Sequence, residues 1–579
     1  MATKATGSPP VWRVAALSRV AMLLLMLTFD ALVDDYDTSG RLSPGDGVSS
    51  AKTSGDAERP PNTLCAAVEG LVTWDAVYFL RIAEVGYEHE QTHAFFPLLP
   101  AVTRGVAATS SALAEAIPRR GSDSKTMWSR VRRRFAQTPS RCASAASAVA
   151  VSNAAHVLAA VILERLGNLV LAEQRIGRDS LLHEVDHDET AHSEAARAAA
   201  VLFALNPASV FHSAAYTESV FALFSFAGFF LLERARLGGT ATATKKSESA
   251  FWNRNGAAVL FALACATRSN GALNGLVLAH DFFFASAAPF WKERRKKKRK
   301  VFFFIAATSA FAARCVATLF PLFAVQLYGY RTYCVDGFIE DSKPAWCDVW
   351  RPFPNVYAHV QSHYWNVGFL RYYESKQIPN FLLAAPALFV SANAGLSWWN
   401  AFLGRARFGN ARDESAKRSS DDEAGEADEA RANRTRSGSS VSRRRREGRS
   451  LRLGGEKKTK NLSRDFARGN ADVDEDAWML SPRVRPYLFK WAVMSAVALL
   501  AMHVQVTTRF LSVTPGVYWF LAKKGFAEAE RERLFARKQK SAAGHEKKTR
   551  TFWRRGVTTY STSFFLLGAL LFPTFYPWT

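Results

Sequence analysis

Uncharged apolar runs long enough to cross a bilayer recur along this chain, and connectors crowded with charge separate them. A helix needs about 20 apolar residues to span the hydrocarbon core, where no water can satisfy a free backbone group. Runs of this kind lie near 14–33, 94–113, 142–163, 195–212, 215–233, 255–288, 301–325, 378–397, 486–504, 508–522 and 557–575. They predict an all-α polytopic membrane protein with roughly 8–12 transmembrane helices. The first run is long and no small-residue cleavage site follows it, so it reads as an uncleaved anchor and not as a signal peptide. The 255–288 stretch has room for two short passes or for one helix with a re-entrant end.

The formal net charge of +24 would suit nucleic acid, but the positive residues sit in connectors such as KERRKKKRK (292–300) and RRRR (443–446). No basic stripe interleaved with aromatics marks a soluble domain, so nucleic-acid binding is excluded. Basic connectors belong on the cytoplasmic face. This puts the N-terminus, 115–141, 234–253, 290–300, 400–486 and 523–556 in the cytosol, and 34–93, 326–377 and the terminal FYPWT on the other side. Parity fails between 115–141 and 234–253, which implies that one of the three runs between them does not cross fully. The 400–486 connector is too polar to bury a core and reads as a disordered cytosolic insert. Its sequons at Asn433 and Asn461 should then stay unglycosylated. The insert divides a membrane core into 1–399 and 487–579, with connectors 34–93 and 326–377 as the two loops that carry chemistry. No pair of corresponding halves, as a transporter built from repeats would show, is present.

The six cysteines have no paired CxxC spacing, so they form no zinc pattern. Cys334 and Cys347 share one connector and are either a local disulfide or two free thiols. The other four read as small buried apolar residues.

Five polar clusters interrupt the apolar pattern. In TWDAVYFLRIAEVGYEHEQTHAFFP (73–97), Trp74, Tyr78, Phe79 and Ile82 recur at helical spacing, which suits an interfacial helix with its apolar face on the membrane. Asp75 at the start of that helix is either an N-terminal cap or a general base held at the membrane face. Glu84, Glu88 and Glu90 follow on the same element. In ALNPASVFHSAAYTESVFALFSF (204–226), Asn206 is either part of a proline kink or a ligand contact, while Tyr216 and Glu218 open the next run. A carboxylate inside a span usually faces a functional cavity. In CATRSNGALNG (265–275), Arg268 can grip a phosphate or snorkel to headgroups, with Asn270 beside it. The stretch HYWNVGFLRYYESKQIPNFLLAAP (363–386) offers Trp365, Asn366, Arg371, Gln377 and Asn380 as a sugar- and phosphate-binding rim. MHVQVTTRFLSVTPGVYWF (502–520) adds His503, Gln505 and Arg509.

Taken in order with the terminal FYPWT, these blocks resemble the GPI mannosyltransferase 2 family, also called phosphatidylinositol-glycan class V. The resemblance implies a GT-C-type fold with lumenal interfacial helices in the endoplasmic reticulum membrane. It also implies dolichyl-phosphate mannose as donor, a GPI precursor as acceptor, and transfer of the second mannose in α-1,6 linkage. Trp74 and Asp75 map to the functional core of the family's first motif; the implied reaction needs a carboxylate to take the acceptor proton, for which Asp75 is the candidate, and Trp74 and Glu90 are candidate substrate contacts. No cofactor or metal ligand set is implied, and in some members a small accessory membrane subunit takes part. His93 departs from the apolar residue expected at its position and bears on the edge of the acceptor site.

Overall fold

All regular elements among the described residues are helical, as a chain that must satisfy its own backbone hydrogen bonds in lipid requires. The computed structural model describes residues 9–36, 67–68, 71–116, 140–172, 185–237, 243–287, 298–336, 344–348, 355–406, 476–526 and 540–578. Most of the 400–486 insert, with Asn433 and Asn461, lies outside them. By its contacts the chain divides into Met1–Ser391 with Pro486–Thr579, and Ala392–Arg485. In the second unit Trp398 stacks on Phe402 at 5.5 Å, and Ala477–Leu480 forms one 3-10 turn.

Four described helices are long and apolar enough to cross a membrane: Val11–Leu32, Arg141–Leu171, Val301–Val335 and Ser375–Ala406. The other runs fall on helices that are shorter or carry charge. Glu218–Leu237 holds Glu218 and Glu233 at its two ends, and 502–526 is broken into the short pieces Val504–Val506, Thr507–Leu511, Pro515–Leu521 and Ala522–Phe526. Irregular backbone at such depth is tolerated where protein surrounds it.

Small residues set the closeness of the packing. A Cβ on Gly167 would stand 2.8 Å from Cβ of Ala196, and one on Gly228 would stand 2.4 Å from the ring of Phe261. Without a hydrophobic drive between helices in lipid, such close backbone approach is what holds neighbours together.

Two contacts fix the direction of the helix Arg141–Leu171, which Ser140 caps by accepting from the Ala143 amide. Its first half, Ala145 to Val149, packs with Leu71, Val72 and Ala76, while Gly167 near its end meets Ala196 and Trp519. Its N-terminus therefore lies at the Asp75 end of the bundle, opposite to the side expected for 115–141, of which 117–139 lie outside the described residues. The C-terminal stretch is at the same end: the Tyr36 amide donates to the Thr574 carbonyl, and Phe575 lies 6.1 Å from Trp74.

Cys334 and Cys347 form a disulfide, with the Cα atoms 5.7 Å apart. The reading of the remaining cysteines as buried apolar residues needs correction. Cys142 is disulfide-bonded, Cys265 is a buried free thiol, Cys315 is a half-buried one, and Cys65 lies outside the described residues.

Candidate active site

The turn that opens the helix Asp75–Val85 has an unusual backbone. Trp74 adopts φ 56° and ψ −129°, a region that bulky L-residues avoid. Such conformations persist only where their surroundings enforce them, and they cluster at functional sites. Here the Asp75 amide donates to the hydroxyl of Tyr216 at 3.0 Å, and the Ala76 and Val77 amides donate to the Thr73 and Trp74 carbonyls. The N-cap position belongs to Trp74, which makes no side-chain cap, and Asp75 is the first helical residue. Its carboxylate, 38% exposed, accepts from Nη1 of Arg509 at 2.8 Å. As the first helical residue it also sits at the positive end of the helix dipole.

Arg509 continues the contact inward. Its Nε donates to Oε1 of Glu218, which also accepts from Nη1 of Arg268. Arg268 also reaches Oγ1 of Thr217 at 3.3 Å, and the Arg509 guanidinium lies 4.7 Å from the Tyr216 ring centroid and 5.1 Å from that of Phe211. Glu218 is fully buried, and its Oε2 has no partner among the described residues. The ladder Asp75, Arg509, Glu218, Arg268 thus balances two carboxylates against two cations, the condition under which charge tolerates burial. It leaves one carboxylate at the exposed end, next to a fixed cation. Arg268 is held inward and does not snorkel.

Gly271 explains the shape of the Arg268 turn. A Cβ there would meet the backbone N and Cα of Cys265 at 2.4 Å, so only glycine lets the Ser269–Asn274 turn fold back on the preceding helix. Asn270 in that turn has both amide atoms buried without a partner among the described residues.

The other sequence candidates divide into a rim and a scaffold. At the rim, His503 donates from Nε2 to the Trp365 carbonyl at 2.6 Å and stacks on Tyr372 at 4.7 Å. Tyr372 is hydrogen-bonded to Gln505, and Asn380 donates to Tyr372 and to Gln377 at 2.8 and 2.7 Å. Arg371 is exposed on the same loop. Asn366 has φ 51° and ends the helix Val356–Trp365 as a left-handed cap, its amide donating to the Gln361 carbonyl.

Asn206 and Glu90 are scaffold. Asn206 is fully buried and spends its amide on its own turn, donating to the Phe203 carbonyl and accepting from the Ala208 amide, both at 2.8 Å. The proline kink is thus satisfied by Asn206 itself. Glu90 accepts from Nε1 of Trp346 and, at 3.2 Å, from the Tyr364 hydroxyl, with His359 3.6 Å away. It ties the disulfide-bearing segment to the helix Val356–Trp365 and shares no contact with Asp75. Glu88 pairs with Arg81.

The apolar face of the helix Asp75–Val85 is not open to a membrane, because Phe79 and Ile82 are buried with Phe95, Leu99, Ala155 and Val220. His93 fills the apolar slot expected at its position as a ring, 4.7 Å from Tyr87 and 5.3 Å from Tyr333. Burial holds its imidazole below the ordinary histidine range, and burial likewise raises the Tyr87 hydroxyl.

Several residues escaped the sequence reading. Arg19 is buried in the first span and donates to the carbonyls of Ser209 and Ala204 and to the hydroxyls of Ser209 and Ser213, at 2.8 to 3.1 Å. An arginine inside an apolar run was the available signal. At the far end of the bundle Arg236 bridges Glu233 and Asp281, Arg254 completes the pair on Asp281, and Tyr487 donates to Glu233 at 2.8 Å. Lys490 is fully buried, with its Nζ 5.0 Å from the Phe229 ring centroid.

No group of three or more His, Cys, Asp or Glu side chains among the described residues could hold a metal ion. A family profile described as Mannosyltransferase (PIG-V) matches residues 9–121 and 139–579, a span that includes all four members of the ladder. The chain belongs to this family. As a PIG-V mannosyltransferase family member it is a glycosyltransferase. It is similar to "GPI alpha-1,6-mannosyltransferase 2" of Homo sapiens, 29% identical with 98% of each chain covered. It is also similar to "GPI mannosyltransferase 2" of Drosophila melanogaster, 26% identical over 98% of this chain and 99% of the relative. The protein of that name from Chaetomium globosum is 29% identical over 65% of this chain and 73% of its own length. No solved structure matches the chain.

Proposed function

We propose that this chain is the α-1,6-mannosyltransferase that adds the second mannose to a GPI-anchor precursor, with dolichyl-phosphate mannose as donor. The contact of Asp75 with Arg509, continued to Glu218 and Arg268, carries this reading. The chemistry asks for a carboxylate that stays ionised, is reachable by an acceptor hydroxyl, and stands beside cations that tolerate a phosphate. Asp75 is 38% exposed and stands beside Arg509, which supports the second and third conditions. Its carboxylate takes the proton of the acceptor hydroxyl while that oxygen attacks the anomeric carbon of mannose. The bond from that carbon to the phosphate oxygen breaks with its electron pair, so a β-linked donor gives an α-linked product in one inverting displacement. The lipid phosphate leaves as a stable anion and needs no general acid.

Arg268 and Arg509 are already matched by Glu218 and Asp75, whereas Arg371 is exposed and makes no ion pair among the described residues. Arg371 therefore receives the donor phosphate first, and the ladder supplies the inner positive field. The tyrosines and amides around His503, Gln505, Gln377 and Asn380 suit sugar hydroxyls.

The disulfide Cys334–Cys347 and the bonded Cys142 lie at the Asp75 end, which supports an oxidising, lumenal location for the site in the endoplasmic reticulum membrane. The all-helical architecture with broken elements around the site is compatible with the GT-C type.

The test is an assay with purified protein, dolichyl-phosphate mannose and the one-mannose GPI intermediate, reading the product linkage. An α-1,6-linked second mannose supports the proposal. Absence of transfer to that acceptor, with transfer to another mannose acceptor, contradicts it.

A further inference from the structure

Between the segments that supply Glu218 and Arg509 lies a fully buried histidine that the chemistry above does not use. His212 lies in the last turn of the short helix Ser209–Ser213, and its ring meets a serine on each side. Nδ1 is 3.1 Å from the hydroxyl of Ser219, the neighbour of Glu218, and Nε2 is 3.0 Å from the hydroxyl of Ser512, three residues after Arg509. Each serine has a second acceptor for its proton: Ser219 is 2.8 Å from the His212 carbonyl, and Ser512 is 2.7 Å from the carbonyl of Arg509 itself.

A neutral imidazole has one N–H donor and one bare nitrogen, so of the two serines one must donate to the ring and the other accept from it. If Nδ1 carries the proton, Ser512 donates to Nε2 and abandons the Arg509 carbonyl. If Nε2 carries it, Ser512 accepts from the ring and keeps its bond to that carbonyl, while Ser219 donates to Nδ1. The second arrangement closes a continuous path from His212 through Ser512 to the Arg509 backbone. His156, 5.0 Å from the His212 ring, and Phe203, 5.4 Å away, leave little room for the imidazole to turn.

We propose that His212 is a positioning residue for the transfer reaction: as the Nε2–H tautomer it braces Ser512 and thereby fixes the backbone from which Arg509 reaches both Asp75 and Glu218. This inference rests on the reading of Asp75 and Arg509 as the reacting end of the site. The brace acts on geometry alone, so its loss should lower kcat and leave the KM values for donor and acceptor nearly unchanged.

Two substitutions separate bracing from volume filling. His212→Gln puts a donor near the position of Nε2 and can still reach Ser512, whereas His212→Asn reaches only toward Ser219. The expected result is a kcat loss on the order of 10²-fold for His212→Asn, as for other small misplacements of reacting groups, with substantial recovery in His212→Gln. Ser512→Ala should reproduce the His212→Asn loss, and it serves as the test if the histidine variants do not fold. Combined with Arg509→Lys, Ser512→Ala should add little further loss. Equal losses in the glutamine and asparagine variants, full kcat in Ser512→Ala, or strict additivity with Arg509→Lys would each overturn the proposal. If Asp75→Asn retains activity, the reading of the site fails. If Asp75→Asn is inactive and the His212 and Ser512 variants behave as volume changes, only the brace fails.

Discussion

Arg509 donates to the carboxylate of Asp75 at 2.8 Å across 434 positions of sequence. The same guanidinium donates through Nε to Glu218, so one planar fork spans two carboxylates. Lysine keeps the charge but offers a single point of attachment. Arg509→Lys is therefore expected to lose activity on the order of 10²-fold, through kcat, in the assay with lipid-linked mannose. Equal rates in the two proteins would mean that the fork has no part in placing Asp75.

Glu218 is fully buried and receives both Arg268 and Arg509. Glu218→Gln preserves volume but leaves two cations without their shared anion. Breaking a buried pair in this way costs about 3–5 kcal/mol, so the detergent-solubilised variant should melt well below the parent. An unchanged melting temperature would show that solvent already compensates the arginines.

Arg371 stands on the exposed loop before the helix Ser375–Ala406 and makes no ion pair among the described residues. Arg371→Ala should raise KM for the donor about tenfold while sparing kcat, the signature of a group that binds ground state and transition state alike. A fall in kcat at constant KM would place Arg371 at the reacting bond instead.

Gly271→Ala tests the turn that carries Arg268 and Asn270. The added methyl would stand 2.4 Å from the Cys265 backbone, so the turn must move, and overpacking of this kind costs about 1–3 kcal/mol. Loss of activity should exceed what the fall in stability explains, because Arg268 leaves Glu218. Parent-like kinetics would show that the turn relaxes without displacing the arginine.

Much of this candidate site is legible in the sequence, because a carboxylate or an arginine is costly inside an apolar run and so stands out. Glu218, Arg268 and Arg509 are visible in this way, and Asp75 by its place at the start of an interfacial pattern beside Trp74, although nothing in their spacing says that they touch. Asn206 and Glu90 stood out equally, yet Asn206 bonds within its own turn and Glu90 bonds to Trp346 and Tyr364, because a polar side chain with protein partners looks the same in sequence as one awaiting a ligand. His212 lay inside a quoted motif without distinction, because its importance comes from Ser512, 300 residues away. The direction of the helix Arg141–Leu171 was misjudged because connector charge was the only guide to sides, and packing of Ala145 against the Asp75 turn decides otherwise.

His93 and His359 give the Glu90 face a pH dependence. Burial lowers both imidazoles, with Glu90 pulling the other way at each. The folded form thus binds fewer protons than the unfolded chain, so the stability is present above about pH 6.5 and is lost as pH falls below it. Thermal melting across that range should show the decline, and His93→Phe, which keeps the ring against Tyr87, should flatten it. A parent protein whose melting is flat across the range would contradict this.

Asp75→Asn preserves the size of the side chain and can still accept from Arg509, but it cannot hold the acceptor proton. Purified parent and variant should be compared in single-turnover transfer from dolichyl-phosphate mannose to the one-mannose GPI intermediate, with donor binding measured alongside. The account predicts unimpaired donor binding and a transfer rate reduced by at least about 10²-fold, the lower range for loss of a general base. Transfer at the parent rate would contradict it.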